Sequence, residues 1–247
     1  MSENKKINVL GRGTWITIGS PVITEMVSGF PFDWLLFDME HGYLTESSLL
    51  GNLQAVRNDA IKQIVRVPTM DSSLIASVLD RGASGIMMPH VSSPEQAEAC
   101  VGAMRYPPIG NRGYSGQARC FDYGLNTPKD IGSVIPPVLM VQIENYDGII
   151  NADAIALVKG VDVLFIGPSD LTLDLTTRSG TTMDFNSAVK RVADAAKKNR
   201  KQAGILVKNI EDIPKYTQLG FSCFAIDSDL GILRKGYQSL INQLKNQ

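Results

Sequence analysis

Glu144 and Asp170, 26 residues apart, each close an apolar run: Val-Leu-Met-Val-Gln-Ile-Glu-Asn at 138–145 and Val-Asp-Val-Leu-Phe-Ile-Gly-Pro-Ser-Asp at 161–170. In both places a strand-like pattern gives way to a helical one, which sets the two acids at the C-terminal rim of neighbouring parallel strands. Two carboxylates meeting at such a rim suit a hard divalent cation, which takes oxygen ligands. The ends of other apolar runs add Asp38, Glu40 and His41, then Arg66, His90, Lys208, Asp227 and Asp229. Ser169 precedes Asp170, and Gln142 shares a face with Glu144 because strand side chains alternate. Two acids for a metal, one cationic anchor and one or two imidazoles suit an enzyme that binds an oxo-acid through a metal and stabilises an enolate.

Each of these residues also has a structural reading. An acid after a strand is often a helix N-cap or first-turn acid; the occurrence of two on adjacent strands favours metal binding. His41 is either a loop histidine or an acid–base group that titrates near neutrality. Arg66, in Val-Arg-Val-Pro, ends a buried strand where an unpaired guanidinium is costly, so it needs an acidic neighbour or an anionic ligand. His90 reads as structural, since nothing else on its strand cooperates with it. Lys208 is the amine a Schiff-base aldolase would need, although a solvated lysine is commoner at a strand end.

Eight strand-like runs must position these residues: 15–18, 34–38, 63–67, 85–89, 138–143, 163–166, 204–207 and 223–226. Between them lie helical patterns at 46–57, 72–79, 94–104, 186–198 and 210–219, punctuated by Ser93-Pro94-Glu95 as a start and by Gly82, Gly160 and Gly220 as stops. Eight alternating units in 247 residues predict an α/β fold, a (β/α)8 TIM barrel forming a single domain over 1–247. The stretch 107–137, rich in Gly and aromatics, breaks the rhythm and is expected to be a rim loop that carries function. With a formal net charge of −1 and scattered Lys and Arg, neither nucleic acid nor an anionic membrane is the expected partner. The three cysteines lack CxxC pairing and read as reduced, buried thiols of a cytoplasmic protein. The polar start has no following apolar region, and no apolar run approaches the length of a membrane span.

Six motifs then occur in order: Phe-Asp-Met-Glu-His-Gly (37–42), Arg-Val-Pro (66–68), Leu-Asp-Arg-Gly-Ala (79–83), Arg-Tyr-Pro-Pro-Ile-Gly-Asn-Arg-Gly (105–113), Val-Gln-Ile-Glu (141–144) and Gly-Pro-Ser-Asp-Leu (167–171). Together they resemble the HpcH/HpaI aldolase family over nearly the whole chain. The resemblance implies a class II aldolase that cleaves a 4-hydroxy-2-oxo acid, or a 2-keto-3-deoxy sugar acid, to pyruvate and an aldehyde through a pyruvate enolate, or runs in reverse. It implies that Glu144 and Asp170 hold Mg²⁺ or Mn²⁺, or Co²⁺, and that Gln142 and the backbone around Ser169, beside Asp170, position the pyruvate carboxylate. Arg66 would stabilise the enolate oxygen, His41 would be the acid/base, and Asp80 would tune that histidine. Asp80 ends a helix, however, and Asp38, three residues before His41, is the competing orienter. The resemblance further implies a homo-oligomer, a hexamer built as a trimer of dimers that exchange their last helix; apolar positions at helical spacing over 230–244 agree with it.

Two segments depart from the family pattern. Where many members continue with Gly-Xaa-Pro-Gly and His-Pro, this chain has Thr-Leu-Asp-Leu-Thr-Thr-Arg-Ser-Gly-Thr-Thr-Met-Asp (172–184), and its 113–124 loop is unusual. Both are expected at the rim against the aldehyde half. The family also holds a citrate-forming and a decarboxylating synthase, so a Claisen-type synthase or lyase on a 2-oxo acid is the alternative activity.

Overall fold

The computed structural model describes residues 10–245; the polar start at 1–6 lies outside them. Eight parallel strands close into a barrel in sequence order. They are β1 (Arg12–Ile16), β2 (Trp34–Asp38), β3 (Lys62–Arg66), β4 (Gly85–Met88), β5 (Val138–Ile143), β6 (Val163–Ile166), β7 (Gln202–Val207) and β8 (Phe221–Ser228). Around them run α1 (Pro21–Val27), α2 (Glu46–Ala55), α3 (Ser72–Asp80), α4 (Pro94–Met104), α5 (Tyr146–Ile150), α6 (Ala152–Leu157), α7 (Pro168–Thr177), α8 (Phe185–Lys198), α9 (Ile213–Gln218) and α10 (Asp229–Lys245). The TIM barrel expected from the apolar runs is therefore the observed fold. Helix starts follow local chemistry: Thr45 and Ser48 cap α2 reciprocally, Asp71 accepts two N–H groups at the start of α3, and Pro94 stands at the first turn of α4 behind Ser93. Gly82, Gly160 and Gly220 take φ of +94°, +108° and +100°, the left-handed region in which only glycine is unstrained.

Strand alternation sorts the side chains into two cores. Leu35, Phe37, Val65, Ile86, Leu139, Val141 and Leu164 point outward under the helices, whereas Trp34, Leu36, Ile64, Met87, Met140, Val163 and Phe165 fill the barrel. Large residues there face glycine. A Cβ on Gly13 would stand 2.2 Å from the Trp34 ring, and one on Gly204 would stand 2.5 Å from the Phe165 ring. Trp34 and Phe165 in turn meet edge to face at 6.3 Å. Continued toward the strand C-termini, the inward series becomes Asp38 on β2, Arg66 on β3, Gln142 on β5 with Glu144 just past its end, and Gly167 after β6. The parity that packs the barrel also delivers the polar groups to its mouth.

The segment 107–137 lies elsewhere than expected. It joins the end of α4 to the start of β5, so it belongs to the face opposite the strand C-termini. Its contacts agree: Arg112 pairs with Asp80 at the end of α3 at 2.5 Å, Arg119 donates to the Arg81 carbonyl, and Arg105 donates to the Pro137 carbonyl. The 113–124 loop is thus not part of this barrel's own catalytic rim. Its glycines and aromatics make a packed foot in which Tyr114 meets both Tyr106 and Phe121.

Candidate active site

Arg66 organises the mouth of the barrel. Only 4% exposed, it donates from Nε and Nη2 to both carboxylate oxygens of Asp38 at 2.9 and 2.7 Å, and from Nη1 to Gln142 Oε1 at 3.5 Å. Its guanidinium lies 4.3 Å above the Trp15 ring, and Nη1 stands 2.8 Å from Glu40 Oε2 as an ion pair outside hydrogen-bond geometry. A buried guanidinium needs such partners. Of its five N–H groups, three are committed, twice to Asp38 and once to Gln142. Asp38 also accepts the backbone N–H groups of Glu40 and His41, which pins the turn after β2.

Glu144 is 2% exposed and held at both oxygens. Oε2 accepts from Gln142 Nε2 at 3.1 Å and Oε1 accepts the backbone N–H of His90 at 2.7 Å. Burial pushes its carboxyl above the usual carboxylate range; Asp170 and Glu40 push it the same way, while contacts with His90 oppose them. Asp170 sits in the first turn of α7, partly exposed, with Ser169 exposed beside it. The helix N-terminus leaves first-turn N–H groups for an anion.

Asp38 and Glu40 pair with the one guanidinium, while Glu144 feels the negative charge of both Glu40 and Asp170, a surplus that a divalent cation would offset. Their donors are carboxylate oxygens, which fits a hard ion. Gly167 keeps space open beside them, since a Cβ there would stand 2.4 Å from Glu144 Oε2. Among the described residues, no three His, Cys, Asp or Glu side chains already converge on one point.

The other expected site residues divide. His41 is at the mouth, its side chain 65% exposed, with Glu40 Oε1 3.9 Å from Nε2. Neither proposed orienter holds its ring: Asp38 touches only its backbone, and Asp80 pairs with Arg112 beside the start of β4. Asp227 and Asp229 do structural work. Asp227 pairs with Lys235, and Asp229 accepts from Thr17 N, Thr17 Oγ1 and Ile18 N, tying the start of α10 to the end of β1. Lys208 is exposed just past β7. His90 departs most from its structural reading, for its ring bridges Glu144 Oε1 at 3.1 Å and Glu40 Oε1 at 3.3 Å. The sequence signal for this was weak, because Glu40 and Glu144 come from other strands. Trp15 was also missed; its indole N–H is buried without a partner beside Arg66.

Residues 12–235 match the HpcH/HpaI aldolase/citrate lyase family model. The chain is 35% identical over 234 residues to the 5-keto-4-deoxy-D-glucarate aldolase of Shigella boydii serotype 18, covering 94% of this chain and 91% of that one. An HpcH/HpaI aldolase/citrate lyase family protein from Burkholderia cenocepacia superimposes with a TM-score of 0.87 at 27% identity, over 96% of this chain and 95% of the other. The citrate synthase SbnG superimposes with a TM-score of 0.81 at 26% identity, over 97% and 94%.

Proposed function

The chain belongs to the HpcH/HpaI aldolase/citrate lyase family, and from that premise we propose that it is a metal-dependent class II aldolase, a carbon–carbon lyase that cleaves a 4-hydroxy-2-oxo acid to pyruvate and an aldehyde. The observation that carries this reading is the pairing of a buried carboxylate, Glu144, with a buried guanidinium, Arg66, that is fixed by Asp38 and Gln142 and keeps two N–H groups uncommitted, at one strand-end rim. The 5-keto-4-deoxy-D-glucarate named for the Shigella relative is, counted from its other end, a 2-oxo-3-deoxy acid with a 4-hydroxyl. It is the substrate we assign first.

Glu144 and Asp170 would hold Mg²⁺, Mn²⁺ or Co²⁺. When bound, that cation supplies Lewis acidity to the keto oxygen and so eases charge development there. Gln142 and the first turn of α7 at Ser169 orient the pyruvate carboxylate, with Asp170 alongside. Arg66, fixed by Asp38 and Gln142, presents its uncommitted N–H groups to the oxygen that becomes anionic, and needs no reorganisation to do so. His41, on the pinned turn, takes the proton from the substrate's 4-hydroxyl as the bond between C3 and C4 breaks, and returns a proton in the reverse direction. Asp80 lies on Arg112 at the start of β4, so its tuning of His41 would have to come from a second copy of the chain.

We place the enzyme in the cytoplasm, on one domain over 1–247, with its three cysteines free, Cys100 and Cys223 buried as expected and Cys120 exposed against that expectation; no described helix is long and apolar enough to cross a membrane. We assign it a hexamer, a trimer of dimers exchanging α10. Leu230, Ile232, Leu233, Tyr237, Leu240, Ile241 and Leu244 all stand exposed on that helix, a face that calls for cover. A Claisen-type synthase is the second reading, carried by the likeness to SbnG. Incubation with 5-keto-4-deoxy-D-glucarate and Mg²⁺, with pyruvate followed by lactate dehydrogenase, separates the two. Pyruvate release is the expected result; no release, with citrate formed from oxaloacetate and an acetyl donor, would favour the synthase.

A further inference from the structure

His90 occupies an unusual place. It follows β4, beside the strand that carries Glu144, and its backbone takes a φ of +55°, uncommon for a residue other than glycine. That conformation aims its N–H at Glu144 Oε1, while Val91 N, one residue on, donates to the Gln142 carbonyl. The imidazole is thereby held between two carboxylates, Nδ1 3.1 Å from Glu144 Oε1 and Nε2 3.3 Å from Glu40 Oε1. With Nε2 directed at Glu40, Nδ1 and Glu144 Oε1 stand side by side as two donor atoms that one cation could share. Neighbouring ligands of a six-coordinate ion with bonds of about 2.1 Å lie about 3.0 Å apart, close to the observed Nδ1–Oε1 spacing. A ligating histidine also characteristically gives its other N–H to a carboxylate, which is the place Glu40 takes.

We propose that His90 is a third protein donor, through Nδ1, to the divalent cation, with Glu40 as the carboxylate that orients it. This rests on the reading of Glu144 and Asp170 as the cation's holders. The donors do not yet converge on one point, so loading draws the partly exposed Asp170 carboxylate toward the Glu144–His90 pair. An imidazole nitrogen in an otherwise carboxylate site shifts preference from Mg²⁺ toward Mn²⁺ and Co²⁺.

The test uses the full chain stripped of metal and titrated with Mn²⁺, read by electron paramagnetic resonance and by electron spin-echo modulation from directly bound ¹⁴N. The chain has two histidines, so the assignment is clean. The wild type and His41→Gln are expected to show imidazole nitrogen on the ion. His90→Asn, chosen because asparagine tolerates a left-handed backbone, is expected to lose it and to bind Mn²⁺ roughly 10- to 100-fold more weakly. Should His90→Asn fail to fold, the wild type and His41→Gln alone still identify the donor. Glu144→Gln should abolish the site. A wild type without nitrogen coupling, with binding still lost in Glu144→Gln, would overturn the proposal and leave an imidazolium pairing only. A nitrogen signal that vanishes in His41→Gln would overturn it too. Undiminished Mn²⁺ binding by Glu144→Gln would instead overturn the reading beneath it.

Discussion

In the proposed mechanism two residues at the mouth set the chemistry, and each gives a measurable consequence. Removing Arg66 takes away a preorganised donor to a developing oxyanion, so Arg66→Ala is expected to lower kcat by about 10²–10³, roughly 3 kcal/mol, with a smaller effect on KM. An intact kcat with a raised KM would remove its transition-state role. The same change removes the buried cation that faces Asp38 and Glu40, so a loss of about 3–5 kcal/mol in stability accompanies it. Glu144 behaves oppositely. Its carboxyl is held above its ordinary value near 4.5 by burial, so the folded chain binds that proton more tightly than the unfolded one. Stability of the metal-free protein therefore falls as pH rises from about 4.5 through the raised range, and a divalent cation, which competes with the proton, restores it. Melting curves in EDTA and in Mn²⁺ across that range check this; Glu144→Gln should flatten both the pH dependence and the Mn²⁺ increment. Glu144, Asp170 and Arg66 were legible in the sequence because each interrupts an apolar run at a strand end. His90 was not, for its role comes from Glu40, contributed by another strand, and from a backbone conformation that no local pattern announces.

Among the elements, the turn from β6 into α7 matters most, since it brings Asp170 beside Glu144. Gly167 has an ordinary φ of −91°, so it is required for space and not for conformation. Gly167→Ala is expected to press on Glu144 Oε2, cutting divalent-ion affinity measured by calorimetry while leaving circular dichroism unchanged. Equal affinity in the variant would show that Glu144 can move aside without cost. All eight strands were legible because parallel strands buried on both faces read as continuous apolar runs. The short α1, α5 and α6 were not, being too brief to show helical periodicity. Segment 107–137 was misplaced because its composition resembles that of a functional loop. Its position between a helix end and a strand start decides its face regardless of composition.

As a whole molecule, the barrel gathers buried carboxylates and a guanidinium at one end and leaves α10 with an apolar face to cover. Leu240→Asp combined with Leu244→Asp is expected to convert an assembly into smaller species by light scattering, and a monomeric wild type would remove the exchanged-helix assignment. The same architecture fixes Asp80 far along the chain's fold from its expected partner, a relation no motif reveals. The central claim is that this centre forms a pyruvate enolate by metal-assisted means. The most direct measurement is deuterium exchange into the pyruvate methyl group in D₂O, followed by proton NMR. Exchange is expected with Mg²⁺ or Mn²⁺ and should disappear after EDTA stripping and in Glu144→Gln. Exchange that persists without metal, with pyruvate trapped by borohydride on Lys208, would contradict the account and replace it with a Schiff-base mechanism.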